Sequence, residues 1–110
     1  MPNPQRGEVW SVDLGLVAKV RPCLVLSIPV AEQDRSLVTC IVHTMSPRGS
    51  RFEVTVQTRF LRSGVFLRSG VFDAQNLVTI PHAKLQRRLG VLTAAQFASV
   101  EAAVRIWLGL

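Results

Sequence analysis

One segment of this chain carries a helical signature, and it comes last; everything ahead of it is cut into short β-rich runs. Thr93 stands three residues before Gln96, the spacing of a capping box in which hydroxyl and amide each satisfy an orphan backbone N–H. Leu92 ahead of the cap and Phe97 at the fourth helical position make a hydrophobic staple. Phe97, Val100, Val104 and Trp107 recur at helical spacing as one apolar stripe, with Glu101 and Arg105 as an i,i+4 pair on the other side. Gly109 stands where helices commonly stop. The pattern predicts a terminal helix that lays one face on a sheet, with Trp107 in a core or dimer contact rather than in a base-stacking platform.

The sheet is read from runs rich in β-branched residues. Residues 8–14 form a first strand and 23–28 a second. Residues 37–44 form a third, central strand. Residues 52–58 alternate Phe52, Val54 and Val56 against Glu53, Thr55 and Gln57, a half-exposed fourth strand. A short strand over 77–80 is closed by Pro81, and 84–92 reads as a strand with a basic exposed face. Between them, 29–36 and 46–50 are turn or loop segments. His82 follows Pro81 and is expected in solvent, and residues 1–5 read as a loose lead-in.

A perfect tandem repeat interrupts the pattern: Phe60-Leu61-Arg62-Ser63-Gly64-Val65, then Phe66-Leu67-Arg68-Ser69-Gly70-Val71, then Phe72. Six-residue units in two copies cannot build a solenoid, so this is a local duplication of the kind loops tolerate. The alternative is a doubled basic comb, Arg62 and Arg68, facing RNA. The sum is a mainly β (α+β) chain, one domain over 1–110, whose short antiparallel strands bend toward a small barrel with a C-terminal helix.

Composition narrows the partners. Thirteen Lys+Arg against seven Asp+Glu give a formal net charge of +6, which attracts nucleic acid or an acidic protein. Hydrophobic residues make up 48 % of a 110-residue chain, either as a well-filled core or as apolar surface covered by a partner; the second is favoured here, a homodimer by default. Cys23 and Cys40 sit inside apolar runs and read as buried free thiols without metal-ligand spacing. No secretory signal and no membrane-spanning run is visible, and a cytoplasmic protein is the expectation.

The first thirty residues read as one unit. Gly7-Glu8-Val9-Trp10 opens a strand, a loop follows, and Arg21-Pro22 precedes the apolar run Cys23-Leu24-Val25-Leu26. Proline fixes its own φ and pushes Arg21 toward extended geometry, so a guanidinium is held at a strand mouth where its fork of donors fits a phosphate. With the strand ending in His43-Thr44, and with Val78-Thr79-Ile80 leading into Lys84-Leu85-Gln86-Arg87-Arg88-Leu89-Gly90, this order resembles the MazF/PemK family of toxin ribonucleases over nearly the whole chain. Deleting one copy of the repeat improves that likeness.

The resemblance implies an SH3-like barrel with a C-terminal helix. It also implies cleavage of single-stranded RNA at short sequences without metal or other cofactor, and silencing by a cognate antitoxin. It assigns Arg21 to the scissile phosphate and to developing negative charge; otherwise Arg21 is a surface cation paired with Asp13. It assigns the Thr44 hydroxyl to a phosphate oxygen or to the nucleophile, with Ser46 as fallback. The base departs from the family: the first loop offers only Lys19 as a charged group, and the position of a later family aspartate falls on Gln75, with Asp73 two residues earlier. Asp73 and His43 are both candidates, Asp13 a weaker one, although strand alternation turns His43 away from Thr44. Gln75 and Asn76 could read base edges; Lys84, Arg87 and Arg88 suit a phosphate-tracking groove, and Lys19 is a further RNA contact. The alternative is a module that binds nucleic acid or protein on the same fold without hydrolysis, gyrase-inhibitor toxins included.

Overall fold

The computed structural model describes residues 3–15, 19–56 and 70–110. Its strands are β1 (Glu8–Asp13), β2 (Val20–Val25), β3 (Leu37–Thr44), β4 (Glu53–Val54), β5 (Val71–Pro81) and β6 (Leu85–Val91), followed by helix α1 (Ala94–Leu108). They form one six-stranded sheet in the order β4-β5-β3-β2-β1-β6, every pairing antiparallel.

That order forces curvature. β5 and β6 are four strand spacings apart in the sheet, about 19 Å if it were flat. They are joined only by the 3₁₀ turn His82–Lys84, and Pro81 to Leu85 spans at most about 14 Å even fully extended. The sheet must therefore coil until the end of β5 meets the start of β6. Register breaks ease the bend: two lie between β1 and β6, at Val9/Trp10 and Ser11/Val12, and one lies between β3 and β5 at Ile41/Val42. The sheet stays open, β4 and β6 being its edges.

Coiling buries both faces of the central strands. On the helix side Val9, Leu24, Ile41, Phe72, Ala74, Val100 and Val104 form one core. On the other face Trp10, Val12, Cys23, Val25, Val38, Cys40 and Val42 form a second, against which Val78, Ile80 and Leu85 pack. Strands covered on both sides read as continuous apolar runs, which explains Cys23-Leu24-Val25 and Cys40-Ile41-Val42. Much of the 48 % hydrophobic content thus lies inside the protein rather than awaiting a partner, a correction to the weight placed on covered surface.

The helix forms as expected. Thr93 Oγ1 accepts from Gln96 N (3.2 Å) while Thr93 N donates to Gln96 Oε1 (2.9 Å), and Gly109 closes it in the left-handed region. Val100, Ala103 and Val104 are buried, and Trp107 is 45 % exposed, edge-on to Phe52. Glu101 pairs with Arg6 at 2.7 Å, not with Arg105: Arg6, stacked over Phe97, reaches it from the segment before β1.

Other expectations change. Pro4 is fully buried and the Asn3 amide bonds both polar backbone groups of Val30, so 3–5 is anchored rather than loose. His82 is buried and its Nε2 meets the Leu37 carbonyl at 3.2 Å, because the turn tucks it under β3. β2 begins three residues earlier than expected and ends at Val25. Pro22 is tolerated there because β2 pairs only with β1 at that point; its ladder to β3 begins at Cys23. Among the described residues β4 covers Glu53–Val54, and β5 extends back to Val71. Residues 57–69, most of the tandem repeat, lie outside the described residues.

Candidate functional site

The site is built where β2 starts and β3 ends. Cys23 pairs with Val42; Arg21 and Thr44 each stand two residues beyond that pair, on neighbouring strands and with the same side-chain parity. Asp73 shares it, since β5 sets Asp73 opposite Val42 and β4 sets Glu53 opposite Asp73. The coil therefore brings a cation, a hydroxyl and two carboxylates from four strands, β2 to β5, to one end of the sheet.

The loop after β3 is tightly organised. Thr44 Oγ1 accepts from Ser46 N at 3.1 Å. The Glu53 carboxylate collects the backbone N–H groups of Arg48, Gly49 and Ser50 at 2.7–3.1 Å. These bonds, that of Arg48 first, hold its carboxyl below the usual range. Glu53 is thus a fixed anion that shapes the loop. Asp73 Oδ1 accepts from Gln75 N at 3.0 Å and keeps its other oxygen for a further partner. Thr44, Ser46, Arg48, Glu53, Asp73 and Asn76 line a cleft of about 340 Å³.

Arg21 does not line that cleft. It is exposed, its one hydrogen bond is a long contact with the Val20 carbonyl at 3.5 Å, and among the described residues it forms no ion pair. The pairing with Asp13 is not made: Asp13 Oδ1 accepts from Gly15 N instead. Arg21 borders a second cleft of about 380 Å³ with Ser11, Val20, Pro22, Gln86, Arg87 and Leu89. Its guanidinium, with no ion-pair partner among the described residues, stands at the strand mouth beside Thr44 in the register and borders this second cleft.

Of the residues read from the sequence, Thr44, Ser46, Asp73 and Asn76 come together, with Arg21 and Arg87 around the neighbouring cleft. Lys19, in the left-handed region at φ 58°, Gln75 and Lys84 are exposed but border neither cleft. His43 is buried and packs edge-on to Phe72 at 5.1 Å on the helix side, and burial pushes its imidazole down to about 4. Alternation thus separates it from Thr44. Sequence reading missed Arg48, Glu53 and Gln86. The 46–50 segment gave only a turn signal, and Glu53 read as the solvated half of an alternating strand. Among the described residues no cluster of three or more His, Cys, Asp or Glu could hold a metal ion, and no helix is long and apolar enough to cross a membrane.

Solved structures define the class first. The fold matches a mycobacterial endoribonuclease in complex with its cognate antitoxin (TM-score 0.78, 24 % identity, covering 100 % of this chain and 97 % of that one). It matches the MazE–MazF complex of Deinococcus radiodurans (0.79, 22 %, 100 % and 99 %) and the Mycobacterium tuberculosis toxin MazF-mt6 (0.76, 28 %, 94 % and 97 %). No curated protein matches significantly in sequence. The architecture is that of MazF toxins, an antiparallel sheet with a C-terminal helix. The chain belongs to the PemK-like, MazF-like toxins of type II toxin–antitoxin systems, whose family profile matches residues 5–108.

Proposed function

We propose that this toxin is an endoribonuclease that cuts single-stranded RNA without a metal ion, and that its cognate antitoxin silences it. The observation that carries the reading is the unpaired, exposed Arg21 guanidinium at the mouth of β2, level with a cleft that holds the Thr44 hydroxyl and the Asp73 carboxylate.

In this reading Asp73 takes the proton of a ribose 2′-OH, and the freed oxygen attacks the adjacent phosphorus. The P–O5′ bond breaks, leaving a 2′,3′-cyclic phosphate, and the departing 5′-oxygen takes a proton from water at the open mouth. Arg21 swings over the phosphate and offsets the charge that grows on its oxygens, working as an electrostatic partner. Thr44 and Ser46 hydroxyls position the phosphate. His43, neutral and buried, is left out of the proton path. Asn76 lies in the cleft where it can bond a base edge, and Arg87 extends the cationic track.

RNA and an acidic antitoxin segment would compete for this cationic edge. The apolar helix end, with Ile106, Leu108 and Leu110 exposed, supports a homodimer. The reaction would take place in the cytoplasm, where messenger RNA is found.

The test is incubation of purified protein with RNA in excess chelator. Wild type cleaves at a restricted set of sequences and leaves cyclic-phosphate ends; Arg21→Ala cleaves at least a hundredfold more slowly. A binding module without hydrolysis is the second reading, favoured by the separation of Arg21 from the Thr44 cleft. It wins if RNA is retained but never cut, and inhibition of DNA supercoiling would point to a gyrase-directed form of it.

A further inference from the structure

We infer that Gln86 is a sequence-reading residue, and that the cleft between β1, β2 and β6 is a subsite for one nucleotide of single-stranded RNA next to the scissile phosphate. The inference rests on the nuclease reading for the bond that is cut, and on the geometry of the cleft for the nucleotide that is held.

Ser11 pairs with Arg87 and Val12 with Leu85, so Gln86 has no residue opposite it: it is the extra residue of a β-bulge. Bulges re-aim side chains, and they recur beside functional sites. The bulge is pinned at its neighbour, where Ser11 Oγ accepts from Arg87 N at 3.1 Å and donates to the Arg87 carbonyl at 3.4 Å. A fixed backbone therefore presents an exposed amide into a cleft of about 380 Å³, within the range of small-molecule sites, roughly 300–1,000 Å³.

The lining chemistry is that of a nucleotide. Val20, Pro22 and Leu89 supply apolar surface for the face of a base. Gln86 supplies one donor and one acceptor for its edge. Arg21 and Arg87, one on each side, supply the charge for the phosphates. An acidic peptide would need the two cations but neither the apolar floor nor a neutral amide, so RNA is the better fit. Since Arg21 borders the cleft, the nucleotide held there adjoins the bond being cut.

The test uses the full chain and 2′-fluoro RNA octamers randomised at every position, which lack the attacking hydroxyl and cannot be cleaved. The protein-bound fraction is sequenced. Wild type is expected to enrich one base at one position at least tenfold. Gln86→Ala should lose that preference while keeping the others, with total retention within threefold of wild type. Arg87→Ala should weaken binding of all sequences alike. Because Gln86 is exposed, its truncation leaves the core intact, and a circular dichroism melt verifies this. Equal enrichment by wild type and Gln86→Ala overturns the inference. So does flat enrichment by wild type, or capture of an acidic peptide but of no RNA. Gln86-dependent enrichment by a protein that leaves ordinary RNA uncut would support the subsite and sink the nuclease reading.

Discussion

At the scale of single residues, the protein separates groups that sequence places side by side. His43 and Thr44 are neighbours, yet one is sealed against Phe72 and the other lines a cleft. Burial holds the His43 imidazole neutral down to about pH 4 against an ordinary value of 6.5. The unfolded chain therefore takes up that proton first. Stability is full above pH 6.5 and falls as the pH drops through the window between 6.5 and 4, by about 3 kcal/mol. Urea midpoints at pH 7 and pH 4 should show the loss in wild type and a smaller one in His43→Leu. Thr44→Val, by contrast, should leave the midpoint nearly unchanged and slow RNA cleavage roughly tenfold, about 1.4 kcal/mol in the barrier.

At the scale of elements, what is local was legible and what is long-range was not. The helix was readable to its caps because Thr93, Gln96 and Gly109 act within one turn of themselves; Thr93→Ala should cost about 1 kcal/mol in a denaturant melt. β3 was readable because β-branched residues fill it. β5 was not, because Ala74-Gln75-Asn76 reads as a break: its bulge against β3 accommodates those residues, and only the paired strand reveals that. The Thr44 cleft was half legible. The family likeness marks Thr44, while counting falls on Gln75, two residues past Asp73, and Glu53 enters only because the 48–50 amides turn toward it. Arg21 was rightly placed at a strand mouth, while its separation from the Thr44 cleft depends on how the sheet coils. Gly70 belongs to this scale too. At φ 103° a Cβ would press into the Thr44 carbonyl oxygen and lie 3.0 Å from His43. Gly70→Ala should lower the melting temperature and impair cleavage together, whereas Gly49→Ala, with open space around it, should change stability far less than Gly70→Ala.

At the scale of the whole molecule, charge and apolar surface are partitioned. The cations of the two clefts gather at one end of the sheet, so RNA affinity should fall steeply with salt, the log–log slope reporting the number of phosphates contacted. Trp107, Ile106, Leu108 and Leu110 leave an apolar end on α1; Ile106→Glu together with Leu110→Glu should shift a dimer toward monomer in sedimentation, without lowering the content of β structure. Cys23 and Cys40 are buried, and desolvation pushes both thiols well above their ordinary range, which makes them poor nucleophiles. In native buffer they should resist iodoacetamide until denaturant is added.

β1 pairs with β6 from Glu8↔Val91 to Val12↔Leu85, so the first strand to be synthesised waits for the last. A nascent polypeptide emerging from the ribosome has its opening strand unpartnered on one side until almost all of it has been translated. A chain cut short upstream of residue 85 would lack the bulge, the second cleft and the helical cap at once. Truncations ending just before residue 85 should therefore fail to fold and to cut RNA, although they retain Arg21, Thr44 and Asp73: completion of the polypeptide would set the earliest moment at which the weapon is armed.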